Sequence, residues 1–130
     1  MSNSIDINND NKSVLIIDDE PDICFMLSNI LKKKELASTS VHTIKEAGTY
    51  MLIKTPSLVF LDNNLPDGKG IDFLCGIKQA HPEVKVVMIT AYDTSSDKLD
   101  ALKRGADEFI GKPFTRQNIY DSIDRLLYKH

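Results

Sequence analysis

From Ser13 onward, short apolar runs bounded by turn residues alternate with stretches in which apolar residues recur at helical spacing. That alternation predicts βα units feeding a parallel sheet, because a helix must carry the chain back before the next strand can lie parallel to the last. Five units fit, with strands at Val14–Ile17, Ala37–Val41, Leu58–Leu61, Val86–Ile89 and Glu108–Ile110. The first, third and fourth are uninterrupted apolar runs, as strands buried on both faces require. The second is largely polar and the fifth is short, so both suit sheet edges. The expected fold class is α/β: a five-stranded parallel sheet, doubly wound, in the order 2-1-3-4-5, a (βα)5 chain.

The helices carry their own start and stop signals. The first begins at Pro21, sets Ile23, Met26, Leu27, Ile30 and Leu31 inward, and ends in Lys32-Lys33-Lys34, read as a solvated end that suits a negative helix terminus. The second starts at a capping box, Thr43-x-x-Glu46, and is closed off by Pro56. The third runs from about Gly70 to Ala80 with Ile71, Leu74 and Ile77 inward, and the fourth follows Thr94-x-x-Asp97 and stops near Gly105, a natural C′ residue. The last starts near Thr115 and buries Ile119, Ile123, Leu126 and Leu127. Residues 1–12, rich in Asn, Asp and Ser, read as a flexible tail, and 13–130 as one domain.

Composition changes this picture little. A chain of 130 residues with 42% hydrophobic content can bury a core without disulfides, and Cys24 and Cys75, lying in apolar helical patterns, read as buried thiols. Sixteen Lys and Arg against 19 Asp and Glu leave no basic footprint, so direct nucleic acid contact is not expected. No apolar run approaches the ~20 residues of a membrane span, and the N-terminus has no signal-peptide pattern. The expectation is a cytoplasmic protein with no membrane contact. His42, His81 and His130 are scattered and read as structural or exposed.

In a doubly wound sheet, ligands bind outside the carboxyl ends of the strands, where the order reverses. Just past each strand stand Asp18-Asp19-Glu20, then Asp62, Thr90 and Lys112. Strand order therefore gathers acids, a hydroxyl and an ammonium on one rim. Such a set suits phosphoryl transfer to a carboxylate, with acids holding Mg²⁺ and the cation and lysine neutralising phosphoryl oxygens. Asp62 is the candidate nucleophile.

These residues resemble the receiver domains of bacterial two-component response regulators, a CheY-like fold, over Ser13 to Tyr128. Asp18-Asp19-Glu20-Pro21 is similar to the family's acidic pocket, Asp62-Asn63-Asn64-Leu65-Pro66 with Gly70 to its acceptor segment, Thr90-Ala91 to its switch hydroxyl and small neighbour, and Arg104 to Phe114 to its closing segment. The resemblance implies that Asp62 is phosphorylated by a histidine kinase or phosphotransfer protein. It implies Mg²⁺ held by Asp19, Asp62 and the carbonyl of Asn64, with Asp18 acting through metal-bound water. Lys112 would pair with Asp62 and then with phosphate, Thr90 would bond a phosphoryl oxygen, and Phe109 would turn inward. The face of the fourth helix, fifth strand and last helix would then signal to a downstream protein or output domain, and a homodimer through that face is among the expectations. A cis bond at Lys112-Pro113 is also implied. The resemblance implies a response regulator and not an enzyme, one that catalyses only its own phosphorylation and dephosphorylation.

Taken singly, each residue has a plainer reading: Asp19 and Glu20 as helix caps, Asp62 to Gly68 as a turn-rich loop, Thr90 as a cap, Lys112 as a solvated charge, Phe109 as core. Their convergence outweighs those readings. An aspartate-nucleophile phosphatase would want a second acid two positions after the first, where this chain has Asn64. A flavin or nucleotide domain would want a Gly-rich loop after the first strand, where it has three acids. A receiver reduced to a binding module would have lost the acceptor, the acid pair or the lysine, and all are present. Tyr92, beside Thr90, is expected to limit the approach of attacking water.

Overall fold

The computed structural model describes residues 12–91 and 95–128. The elements are β1 (Ser13–Ile17), α1 (Pro21–Lys33), β2 (Ala37–Val41), α2 (Ile44–Ile53), β3 (Leu58–Leu61), β4 (Asn64–Leu65), β5 (Gly68–Lys69), α3 (Gly70–Ala80), β6 (Lys85–Thr90), α4 (Ser95–Lys103), β7 (Glu108–Gly111), α5 (Arg116–Ile123) and a π-helical turn, Asp124–Tyr128. Five strands form one parallel sheet in the order β2-β1-β3-β6-β7, the expected 2-1-3-4-5. The two-residue strands β4 and β5 form a separate antiparallel ladder in the segment after Asp62, which turn chemistry alone had suggested was only a loop.

Alternation along the central strands divides the core in two. Val14, Ile16, Leu58, Phe60, Val87 and Ile89 face α1 and α5. Leu15, Ile17, Val59, Leu61, Val86 and Met88 face α2, α3 and α4. Each strand of the pair β1 and β3 is buried along nearly its whole length, whereas β2 and β7 are only partly covered, as edges are.

The helices largely keep their expected bounds, with corrections at particular side chains. Met26 is exposed, because Cys24, Leu27, Ile30 and Leu31 form the stripe that meets the sheet and leave Met26 on its flank. Cys75 is only half-buried, since Leu74 and Ile77 take the inward face of α3. Leu126 and Leu127 are partly buried against the α1 side, in the π-helical turn rather than in α5 proper. Lys34 is not simply solvated: it lies 3.4 Å from Asp124 and over the ring of Tyr120.

Thr43 caps α2 as expected, accepting from the N–H of Glu46, but the Glu46 carboxylate accepts from His42 N–H at 2.7 Å, one residue before the cap. A complete capping box forms instead at α5, between Thr115 and Asn118. Gly105 takes φ 112° and closes α4 in a Schellman motif, with Ala106 N–H on the Ala101 carbonyl and Gly105 N–H on that of Leu102. The same motif ends α1, where Glu35 holds the left-handed position at φ 60°. The proposed cap Thr94, together with Tyr92, His130 and residues 1–11 of the expected tail, lies outside the described residues.

Candidate functional site

The sheet ladder continues one residue beyond three strands and so sets the site in register. Asp18 N–H donates to the Val41 carbonyl at 3.1 Å, Asp62 N–H to that of Ile17 at 2.9 Å, and Lys112 N–H to that of Thr90 at 2.9 Å. Neighbouring strands therefore present their next side chains at one rim. Asp18, Asp62 and Thr90 are buried there, although polar groups at such depth are costly without partners.

The Lys112 ammonium meets three carboxylates: Glu20 at 2.6 Å, Asp18 at 2.8 Å and Asp62 at 3.6 Å. One carboxylate oxygen from each of Asp18, Glu20 and Asp62 lies within 4.8 Å of the others. Asp19 is exposed and outside that cluster, and Glu20, which the sequence places with the rim acids without a role of its own, stands inside it. The capping reading of Glu20 does not hold, since it occupies the N-cap of α1 without a side-chain cap bond. Its N–H donates to Asp18 Oδ1 at 2.9 Å and its side chain goes to Lys112. The sequence signal for it was the third consecutive acid before Pro21.

Electrostatics follow from crowding two buried acids. Burial, and then the charge of Asp18, push Asp62 from its ordinary 3.8 up to about 6, against the pull of Lys112 and of the Asn64 and Asn63 N–H groups. Burial also raises Asp18, outweighing its hydrogen bonds from Lys112 and the Glu20 N–H. For Lys112, burial alone would favour the neutral amine. Its hydrogen bonds to Asp18 and Glu20, with the charges of Asp18 and Asp62, overcome that and lift its pKa well above the ordinary lysine value.

Residues that sequence reasoning passed over hold the acceptor segment in place. The Asn63 carbonyl accepts from Gly70 N–H at 2.8 Å and its side chain from Ile71 N–H at 2.9 Å, pinning the start of α3 beneath Asp62. Asp67 accepts from the N–H groups of Ile44 and Lys45, tying the same segment to α2. Asn64 lies on β4, its side chain accepting from Lys69 at 3.2 Å. On the other flank, Thr90 and the half-buried Phe109 share a cavity of about 270 Å³ with Asn63, Met88, Asp97 and Ala101. The Lys112-Pro113 bond is cis. His42 is exposed and its Nδ1 lies 2.9 Å from the Asp18 carbonyl, where Cys24 Sγ also donates at 3.3 Å.

The family model described as the response regulator receiver domain matches residues 14–124. PilR, a response regulator protein of Pseudomonas aeruginosa, is 40% identical over 102 residues, which cover 78% of this chain and 23% of that one. This chain thus spans about a quarter of that regulator's length. The chemotaxis protein CheY of Listeria monocytogenes is 30% identical over 114 residues, covering 86% of this chain and 95% of that one. Among solved structures, the receiver domain of NtrX from Brucella abortus superposes with a TM-score of 0.84 at 32% identity, covering 91% of this chain and all of that one. Among the described residues, no helix is long and apolar enough to cross a membrane.

Proposed function

Because this chain belongs to the response regulator receiver domain family, we propose that it is a phosphoryl-accepting switch in which Asp62 takes the group from the phosphohistidine of a histidine kinase or phosphotransfer protein. The observation that supports this most directly is the buried juxtaposition of Asp62, Asp18 and Lys112 at the carboxyl ends of the strands. With its pKa near 6, Asp62 is ionised at neutral pH and able to act as a nucleophile.

The donor set fits Mg²⁺: hard carboxylate oxygens converge, and two of them are buried anions that a divalent cation would relieve. Asp19, Asp62 and the backbone carbonyl of Asn64 are the proposed ligands, with Asp18 acting through metal-bound water; Asp18 and Asp62 already belong to the converging set, and Asp19 would have to turn in from solvent. When bound, the metal supplies positive charge to the phosphoryl oxygens. An Asp62 oxygen attacks phosphorus in line. The P–O bond forms as the P–N bond to the donor imidazole breaks, and the electron pair leaves with that nitrogen. Lys112 then turns an N–H toward a phosphoryl oxygen, and the Thr90 hydroxyl donates to another. The 270 Å³ cavity beside Thr90 gives Phe109 room to turn inward.

That motion would alter the face built from α4, β7 and α5, the surface proposed to engage a downstream protein, an output domain or a second copy of the chain. A cytoplasmic setting follows from a kinase donor, and turnover is confined to the protein's own phosphoaspartate. The test is intact-protein mass after incubation with Mg²⁺ and acetyl phosphate. Wild type gains one phosphoryl group and Asp62→Asn gains none, and equal labelling of the variant would remove Asp62 as the acceptor.

A further inference from the structure

Lysine has three N–H donors, and at rest two of them are already directed. The Lys112 ammonium makes its shortest contacts with Glu20 at 2.6 Å and Asp18 at 2.8 Å, while Asp62 at 3.6 Å lies beyond hydrogen-bond range. These partners differ in how easily they can leave. The side chains of Asp18 and Lys112 are 3% and 9% exposed, whereas that of Glu20 is 56% exposed. An Asp18 that let go would remain a buried anion; a Glu20 that let go would pass straight into water.

The backbone of Glu20 is fixed, while among the described residues its carboxylate is bonded to Lys112 alone. Its N–H is bonded to Asp18 Oδ1, Pro21 opens α1 directly after it, and the side chain makes no cap bond. It also adds a negative charge to a rim that an anionic phosphodonor must approach.

We propose that Glu20 is a positioning residue that holds Lys112 back from Asp62 at rest, slows phosphoryl uptake, and releases the lysine when the phosphoryl group arrives. This rests on Asp62 being the acceptor. The group newly attached to Asp62 offers oxygens for the ammonium, so Lys112 exchanges a half-exposed carboxylate for them and Glu20 turns outward. Asp18 stays bonded throughout and keeps the lysine aimed at the acceptor.

The test compares the rate of labelling by acetyl phosphate at saturating Mg²⁺ for wild type, Glu20→Gln, Glu20→Asp and Asp62→Asn. Because half-exposed ion pairs are worth little, Glu20→Gln is expected to label about two- to fivefold faster than wild type at low ionic strength. Glu20→Asp, which keeps the charge on a shorter stem, should fall between them. The ratio of Glu20→Gln to wild type should shrink toward one as salt screens the wild-type pair, a response that a merely structural role would not give. Equal or slower labelling of Glu20→Gln, or a ratio indifferent to salt, would overturn the proposal. If wild type labels, Asp62→Asn does not, and Glu20→Gln matches wild type, the restraint alone fails. If Asp62→Asn labels like wild type, the acceptor assignment fails and the restraint with it.

Discussion

Replacing Asp62 by Asn should make the metal-free protein more stable at neutral pH. The side chain sits buried beside Asp18, and its pKa is raised from 3.8 to about 6. The folded chain therefore holds the proton more tightly than the unfolded chain, and stability falls as pH rises through the window from about 4 to about 6. Above that window the ionised carboxylate costs at most about 3 kcal/mol. Asparagine keeps the shape, can accept from the Asn63 and Asn64 N–H groups, and carries no charge. Lys112 retains Asp18 and Glu20 as partners. The expected gain is about 1–3 kcal/mol at pH 7.5, or roughly 3–5 °C in Tm for each kcal/mol at this size, shrinking as pH falls through the window and vanishing only below the ordinary value of 3.8, where Asp62 becomes neutral in both states. Urea denaturation in EDTA at several pH values measures it. A variant no more stable than wild type at pH 7.5, or a difference that does not change with pH, would refute the reasoning. Added Mg²⁺ should then stabilise wild type more than the variant, because it relieves the charge that the substitution has already removed.

Two further expectations test the frame around the site. A Cβ at Gly70 would run into the backbone carbonyl of Asp62, so Gly70→Ala should displace the acceptor segment, cost about 1–3 kcal/mol, and slow labelling of Asp62 by acetyl phosphate. Wild-type stability and rate would remove that contact from the account. Glu35 occupies a left-handed C′ position usually taken by glycine, so Glu35→Gly should stabilise by about 0.5–1 kcal/mol in thermal denaturation. A lower Tm would show that the loss of the side chain outweighs relief of the backbone.

The sheet was legible because its signals are collective. Continuous apolar runs at Val14–Ile17 and Leu58–Leu61, against the polar Ala37–Val41, are enough to order the strands. The rim residues followed from that order, since Asp18, Asp62, Thr90 and Lys112 each stand at the end of a strand or just past it. What escaped depends on side-chain direction. A run of three acids does not reveal that Asp19 faces solvent while Glu20 reaches Lys112, because the backbone turn between β1 and α1 decides it. Likewise, Asp67 reads as a turn residue, yet it accepts from the first amides of a helix more than twenty positions earlier. The Thr115 box was missed because Asn118 stands where Glu or Gln is the usual signal.

The sheet that divides the core also divides the molecule into two compartments. The buried clusters facing α1 with α5 and facing α2, α3 and α4 share no residue, so a volume change in one relaxes against a hydrogen-bonded plane instead of against the other. Phe109 packs with the second cluster, while Phe114 and Tyr120 pack with the first. Such a wall allows the two faces to drift independently in sequence, and to be re-engineered one at a time. What they must keep in common is the rim, where Asp18 and Lys112, on neighbouring sides of Asp62, stay within reach of each other.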